Sequence, residues 1–271
     1  MIEAFKRHWP EYLMEACAIG LFMVSACVFG TLLESGSSPV RMALTDPFQR
    51  RILMGAAMGF TAVFIIYSPW GRQSGAHMNP AVTLTFFRLK KIPGADAFFY
   101  VLFQFLGAAA GVALSSRVLG RALAESSVNY AATLPGLSGE VTAFFAEMLI
   151  SFMLMAVILT VSNHSRFSRW TGVFAGILVA VYIIFEAPVS GMSMNPARTF
   201  GSALFAGQWQ GIWIYFTAPV LGMFFAAEFY TRRGGIHRVF CAKINHAGHC
   251  RCIFDCRYGE MEPHGLKSAA S

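Results

Sequence analysis

Six long apolar runs, separated by polar segments, dominate the hydrophobicity pattern of this chain. They lie at residues 12–33, 52–70, 97–116, 141–162, 170–189 and 212–230. Each is close to the roughly 20 residues with which an α-helix spans about 30 Å of hydrocarbon. The first run is longer than a signal-peptide core of about 7–15 residues, so we expect it to be retained. The pattern predicts an all-α membrane protein with six transmembrane helices.

Composition and charge support this interpretation. Apolar residues make up 56% of the 271 residues and charged residues 13%, whereas soluble proteins are about 45–50% apolar and about 25% charged. The net charge is +7, but nucleic acid is not predicted as a partner because the charge is distributed unevenly. With the N-terminus in the cytoplasm, 15 of the 21 Lys and Arg residues fall on the cytoplasmic side. This bias predicts a multi-pass protein of the plasma (inner) membrane with both termini in the cytoplasm.

Two decapeptides divide the chain into repeats. Residues 74–83 read SGAHMNPAVT and residues 190–199 read SGMSMNPART, with seven of ten positions identical. Three helices in each half require the second half to enter the membrane from the opposite face, which predicts an inverted 3+3 repeat. The predicted domains are a cytoplasmic N-terminus at 1–11, repeats at 12–118 and 140–230, an extracytoplasmic loop at 119–139, and a cytoplasmic tail at 231–271.

A short apolar stretch follows each Asn-Pro-Ala sequence, at 82–87 and at 199–205, and neither stretch can cross a bilayer. Each begins as a helix does, with Asn at the N-cap and Pro at the first helical position. The chain is therefore predicted to contain two re-entrant half-helices whose N-termini meet inside the membrane. The motif residues are Asn79, Pro80, Ala81, Asn195, Pro196 and Ala197.

The meeting point of the half-helices predicts a pore. Each helix N-terminus carries roughly half a positive charge, which opposes cations. Asn79 and Asn195 can both donate to one passing water, whose hydrogens then point away and interrupt a proton wire. Backbone carbonyls of the preceding loops are expected to line the pore, at Gly75, Ala76, His77, Ser190 and Gly191.

The stretches SGAHMNPAVT and SGMSMNPARTFG resemble the signatures of the major intrinsic protein family of aquaporins and glycerol facilitators, and the resemblance covers about residues 10–230. It implies six tilted helices, a pore in each protomer, a homotetramer in contact with membrane lipids, and no cofactor. It also implies passive passage of water or small neutral solutes, with protons and ions excluded.

The pore constriction departs from both common family patterns. Arg198 follows the second motif, where a charge costs about 2.5–3.5 kcal/mol on insertion scales, so a functional role is predicted. The resemblance places the other constriction residues at Met58, Ile183 and Met192, with Tyr182 as the alternative to Ile183. Water channels usually have an aromatic residue, a histidine and a small residue there, and glycerol facilitators two aromatics and a glycine.

Positions after Arg198 resemble water channels, since Thr199 and Ala203 replace the acidic and basic residues that are common in facilitators. The predicted function is a passive channel for water, with passage of other small uncharged solutes left open. A glycerol or small-solute facilitator is the alternative. An ion-coupled transporter should offer acidic or polar ion ligands near the helix breaks, where this chain has amides, carbonyls and one arginine. No enzyme is predicted, because no acid–base pair converges with a nucleophile.

Glu15 and Glu147 lie within otherwise apolar helices. The resemblance implies that they accept hydrogen bonds from backbone N–H groups of the re-entrant loops. A proton relay is the alternative, but it lacks a chain of acidic or histidine side chains. We interpret the paired glycines Gly55/Gly59 and Gly107/Gly111 as sites of close helix packing.

The tail is basic and rich in thiols and imidazoles, at Cys241, Cys250, Cys252, Cys256, His237, His246 and His249. Disulfides are disfavoured in the cytoplasm. The spacing C-x8-C-x-C-x3-C matches no specific zinc module, so no metal is predicted, and zinc, palmitoylation and free thiols remain open. The tail lies outside the repeat and is expected to be dispensable for permeation.

Overall fold

The computed structural model describes residues 1–246 and 250–261, and within them six long apolar helices and two shorter helices form a bundle. Numbered in chain order, they are α1 Ile2–Glu34, α2 Pro47–Tyr67, α3 Pro80–Arg88, α4 Gly94–Leu119, α5 Gly139–Ser162, α6 Thr171–Phe185, α7 Pro196–Ala206 and α8 Ile212–Gly234. The predicted fold, with six spans and the two half-helices α3 and α7, is confirmed. His249 and residues 262–271 lie outside the described residues.

The helices pack in pairs that repeat between the two halves. Helix α1 packs along α4, α5 packs along α8 in the same way, and α2 packs against α6 between the halves. Each half-helix contacts a long helix of the other half, α3 against α8 and α7 against α4. The half-helices therefore meet at the centre of the bundle.

Glycine allows two of these pairs to approach closely. A Cβ atom built on Gly107 of α4 would lie 2.2 Å from the carbonyl oxygen of Ala16 in α1. One built on Gly59 of α2 would lie 2.6 Å from the carbonyl oxygen of Gly176 in α6. These contacts put backbone against backbone, as small residues do at helix interfaces in membranes.

The N-terminal segment differs from the prediction. Residues 1–11 were expected to precede the first helix, but α1 begins at Ile2. Its polar first turns are held by side-chain contacts: Tyr12 donates its hydroxyl to Asp96 over 2.5 Å, and His8 Nδ1 lies 2.7 Å from the same carboxylate oxygen. The hydrophobicity pattern could not locate the start of α1, because Asp96, the residue that His8 and Tyr12 contact, belongs to α4.

Two other helix ends also differ from the boundaries predicted from the sequence. Helix α8 continues to Gly234, so the first four residues of the predicted tail are helical. Helix α6 ends at Phe185, several residues before the end of the apolar run, and a short helix at Ala187–Ser190 follows with Pro188 in its first turn. Proline is compatible with the first turn of a helix but disrupts a helix interior, which explains the break.

Candidate functional site

The two half-helices begin at the centre of the bundle, and each is capped by its asparagine. The side-chain oxygen of Asn79 accepts from the backbone N–H of Ala81 at 2.9 Å, and that of Asn195 accepts from Ala197 at 3.0 Å. Pro80 and Pro196 occupy the first helical positions. Because the cap holds each oxygen, the amide nitrogen of each asparagine is turned away from its own helix.

The amide nitrogens connect the two loops reciprocally. Nδ2 of Asn79 donates to the carbonyl of Met194 over 2.7 Å, and Nδ2 of Asn195 donates to the carbonyl of Met78, also over 2.7 Å. An amide nitrogen carries two N–H groups. Each asparagine thus uses one N–H to hold the opposite loop and keeps a second donor in a fixed orientation at the meeting point of the half-helices.

A buried carboxylate holds the first loop. One oxygen of Glu15 accepts from the Ser74 hydroxyl at 2.8 Å and from the N–H of His77 at 3.0 Å. The other accepts from the N–H of Met78 at 2.7 Å and from Gln104 at 2.9 Å. Both oxygens act as acceptors, so the geometry is that of a loop support.

Glu147 repeats this arrangement in the second loop. One oxygen accepts from the Ser190 hydroxyl at 2.8 Å and from the N–H of Ser193 at 2.6 Å, and the other accepts from the N–H of Met194 at 2.7 Å. Both glutamates are fully buried. Both loops therefore donate strong charge-assisted hydrogen bonds to a buried carboxylate.

The loops need this support because their backbone is strained. Ala76 and Met78 have φ of 54° and 50°, and Met192 and Met194 have φ of 51° and 55°. Left-handed conformations cost non-glycine residues roughly 1–2 kcal/mol each. The positions correspond between the repeats, so both halves adopt the same strained path.

Two tyrosines that sequence reasoning did not assign to the site complete the loop supports. Tyr100 donates to the carbonyl of Ser74 over 2.7 Å, and Tyr215 donates to the carbonyl of Ser190 over 2.6 Å. Both are fully buried. Their spacing along the chain nearly equals the spacing of the two motifs, which is the sequence signal that could have identified them.

A cavity of about 200 Å³ passes between the half-helices. It is lined by both asparagines and by residues from each loop, among them Ala76, His77, Gly191, Met192 and Met194. Ser190 is fully buried behind the cavity wall, where its hydroxyl faces Glu147. Of the five predicted pore-lining residues, Ala76, His77 and Gly191 line the cavity, whereas Gly75 and Ser190 do not.

The four predicted constriction residues, Met58, Ile183, Met192 and Arg198, all line this cavity. Tyr182, the alternative to Ile183, does not. Arg198 donates through Nη1 to the hydroxyl of Thr133, a residue of the connecting loop that the sequence did not single out. Within the described part of the chain, no acidic side chain lies within 4.0 Å of this guanidinium, so its charge faces the cavity without a paired anion.

At the opposite end, the tail lies against the cavity. We call this end the tail face; it carries Gly75, His77 and the start of α1. The N–H of Ile244 donates to the carbonyl of Gly75 over 3.1 Å, and Ile244 itself lines the cavity. Since a carbonyl only accepts, Nε2 of His77 donates to the carbonyl of Ala242 over 2.8 Å. The predicted pore-lining carbonyl of Gly75 is therefore bonded to the tail.

The tail also gathers a group of possible metal ligands that the sequence spacing did not predict. One ligand atom from each of Cys241, His246, Cys252 and Cys256 lies within 4.8 Å of every other. Cys250 and His237 are not part of this group.

The match to a family model decides the family. The model for "Major intrinsic protein" matches residues 4–230, which include both half-helices and all but the outer ends of the first and last long helices. The chain belongs to the major intrinsic protein family. The resemblance found in the sequence is thereby confirmed.

Relatives in this family carry more than one kind of name. Aquaporin AqpM of Methanothermobacter marburgensis is 32% identical over 210 residues, covering 75% of this chain and 85% of that protein. Glycerol uptake facilitator protein-like 6 of Lactiplantibacillus plantarum is 34% identical over 201 residues, covering 72% and 83%. The fold is similar to that of the aquaglyceroporin from Plasmodium falciparum, with a TM-score of 0.67 at 20% identity, over 82% of this chain and 95% of that one.

Proposed function

We propose that this member of the major intrinsic protein family is a passive channel for water that excludes protons and ions. The observation that carries the proposal is the pair Asn79 and Asn195. Each has one amide N–H bonded to the opposite loop and one left to donate, at the N-termini of two half-helices. A water that accepts from both has its hydrogens directed along the pore, which breaks a proton wire at that point.

Charge supports the exclusion of cations. The N-terminal dipoles of α3 and α7 converge on the asparagines, and Arg198 adds a full positive charge at the constriction. Uncharged water meets these groups as hydrogen-bond donors, whereas a cation meets them as like charges. Both names among the relatives are consistent with a channel for uncharged solutes.

A second candidate is passage of glycerol or another small neutral solute beside water. The constriction consists of Met58, Ile183 and Met192 around a single strong donor, Arg198. An apolar wall discriminates among small solutes less strongly than a wall of buried hydrogen-bonding groups. The apolar constriction is the observation that favours this candidate.

The proposal extends to the placement of the protein. We place it in the plasma (inner) membrane with the tail face in the cytoplasm, because basic residues concentrate on that side. The repeats 12–118 and 140–230, joined by 119–139, would each supply half of one pore. Large exposed apolar side chains, such as Phe60, Phe98 and Phe145, would face lipid or other protomers of a homotetramer.

Stopped-flow light scattering of proteoliposomes tests the main function. Shrinkage under a sorbitol gradient should be faster than in empty liposomes and should have a low activation energy. A glycerol gradient on the same vesicles tests the second candidate. Permeability to water no higher than that of empty liposomes, with correctly folded protein, would refute the channel.

A further inference from the structure

The distances between the four tail ligand atoms are compatible with one tetrahedral zinc ion. Sγ of Cys241 lies 3.6 Å from Sγ of Cys252, and Sγ of Cys256 lies 3.2 Å from Nε2 of His246. Zinc with Zn–S bonds of about 2.3 Å and tetrahedral angles puts two sulfurs about 3.8 Å apart and a sulfur and nitrogen slightly closer. The four atoms could therefore ligate one ion with only small movements.

The chemistry of the group selects zinc over harder cations. Three thiols and one imidazole form a Cys₃His set, which is a common structural zinc site, while calcium and magnesium require oxygen ligands. Binding would release three thiol protons, and three thiolates with Zn²⁺ leave one net negative charge. Lys243, whose side chain is 2% exposed, lies beside the cluster and can balance that charge.

The tail around this cluster is short and needs such a crosslink. Among its described residues after α8, the helical structure is limited to short turns at Ile236–Arg238 and Tyr258–Glu260. Segments of fewer than about 40 residues rarely bury enough apolar surface to fold alone, and metals commonly compensate. The ligands come from both ends of this segment, so one ion would tie the ends together.

The segment that contains the four ligands lies directly over the tail face of the cavity. Phe254 stacks on the ring of His77 at 5.5 Å between centroids and 10° between planes, and Phe86 stacks on the same ring at 5.2 Å. Ile244 lines the cavity, and its backbone N–H donates a hydrogen bond to the carbonyl of Gly75. The ring of His77 is therefore enclosed between the pore wall and the tail.

Polar contacts fix the segment at other points around the opening. Asp255 donates its N–H to the carbonyl of Lys91 over 3.0 Å and accepts from the Lys91 ammonium at 3.1 Å. Phe240 donates its N–H to Asn163 over 2.7 Å, beyond the end of α5. Arg251 donates to the carbonyl of Arg7 in α1 over 2.9 Å. The contacts surround the cavity, because they come from α1, from the loop after α3 and from the loop after α5.

We propose that Cys241, His246, Cys252 and Cys256 bind one Zn²⁺ per protomer, and that this ion holds residues 235–246 and 250–261 as a plug over the tail face of the channel. The metal site stands on the ligand geometry alone. The effect of the plug on flow rests on the proposed channel function. Loss of zinc would loosen the segment and uncover Gly75 and His77.

Metal content tests the site. The full chain, purified in detergent and dialysed against trace zinc, should contain one zinc per protomer by inductively coupled plasma mass spectrometry. Cys252→Ser should lower zinc affinity by more than about tenfold. The matched control is Cys250→Ser, which changes a thiol of the same segment outside the cluster and should retain zinc. Absence of zinc from the wild type, equal zinc in Cys252→Ser, or occupation by a different metal would overturn the assignment.

A spectroscopic measurement keeps the test valid if a variant misfolds. Replacement of zinc by Co²⁺ in the wild-type chain should give the visible absorption of a tetrahedral cobalt–thiolate site. Maleimide labelling followed by mass spectrometry should find Cys241, Cys252 and Cys256 protected with zinc and reactive after chelation. Equal labelling of these three thiols with zinc and after chelation would contradict the proposed metal site.

Trypsin tests the plug without reference to permeation. Cleavage after Lys243, which is buried within the segment, should be slow with zinc and fast after chelation. Cleavage after exposed Arg232 should change little and serves as the internal control. Equal cleavage after Lys243 in both states would overturn the plug.

Permeation completes the test. With zinc, proteoliposomes should conduct water more slowly than after treatment with a chelator, and added zinc should restore the slow rate. Equal and rapid flow in both states would refute the plug's effect on flow. No flow in either state, with metal binding and protease protection intact, would count against the channel function and leave the metal site standing.

Discussion

The backbone N–H of Ile244 donates to the carbonyl of Gly75 over 3.1 Å and thereby joins the tail to the first re-entrant loop. Gly75 has a φ of 96°, a conformation that glycine adopts freely and that turns the chain into the strained loop. The sequence predicted that the carbonyl of Gly75 lines a pore, but in the structure a backbone N–H of the tail occupies this acceptor. The contact of the tail with the first loop is therefore the feature that departs most from the sequence-based expectation.

Deletion of the tail should increase water flow. The sequence alone predicted that removing residues 236–271 would leave flow intact, but Ile244 lies against the cavity. We now expect faster osmotic shrinkage per folded protomer than in the full chain with zinc bound. Protein quantity and oligomeric state, checked by size-exclusion chromatography, serve as the control. Slower flow with intact assembly would mean that the tail supports the pore.

Arg198→Ala should weaken cation exclusion more than it slows water. The Arg198 guanidinium faces the cavity and donates to Thr133. Its removal therefore takes away a full positive charge without breaking a salt bridge. Planar-bilayer conductance and stopped-flow water permeability should be measured on the same preparation. Thr133→Val is the matched variant, because it removes the partner and keeps the charge. If the Arg198→Ala variant carries no cation current, the half-helix dipoles are sufficient to exclude cations without the arginine.

Ile183→His should reduce the passage of glycerol relative to water. Ile183 makes this wall of the cavity apolar, and a histidine would add bulk and a hydrogen-bonding group. Unmatched buried polar groups penalise the wrong solute, so the mutant should be the more selective channel. Water and glycerol permeability should be compared on the same vesicles. If the wild type already excludes glycerol as fully as the mutant does, the apolar wall at Ile183 does not permit glycerol to pass.

Glu147→Gln should destabilise the protein. The carboxylate accepts from the N–H groups of Ser193 and Met194, and a glutamine places an NH₂ donor against one of these donors. A buried donor without an acceptor costs about 1–3 kcal/mol, so thermal unfolding in detergent should occur at a lower temperature. Glu3→Gln, at an exposed position in α1, is the control for the loss of charge. Equal melting temperatures would exclude a structural role for Glu147.

Gly107→Val should disrupt the packing of α1 on α4. Even a Cβ atom at this position would lie 2.2 Å from the carbonyl oxygen of Ala16, and neither backbone can move freely. Overpacking of this kind typically costs about 1–3 kcal/mol, so the yield of folded protein and the melting temperature should both fall. Ala110→Val, at an exposed position of the same helix, adds similar bulk and should be tolerated. Equal yields would mean that the helices can separate.

Sequence alone was sufficient for the features that depend on local chemistry. The six spans follow from the length of the apolar runs, and the two half-helices follow from Asn-Pro before runs too short to cross a bilayer. The repeated motif indicated the inverted arrangement. The family resemblance directed attention to Met58, Ile183, Met192 and Arg198, which meet in one cavity.

The remaining features required the tertiary structure, because they join residues that are far apart in the chain. Helix α1 begins early because His8 and Tyr12 reach Asp96 in α4, and no pattern within α1 contains that partner. Thr133 next to Arg198 is likewise a contact between distant segments. The thiols of the tail had an uninformative spacing. The tertiary structure brings Cys241 next to Cys252 and places Ile244 at the cavity. An irregular segment has no hydrophobic periodicity, so its position depends on its tertiary contacts and could not be predicted from the sequence.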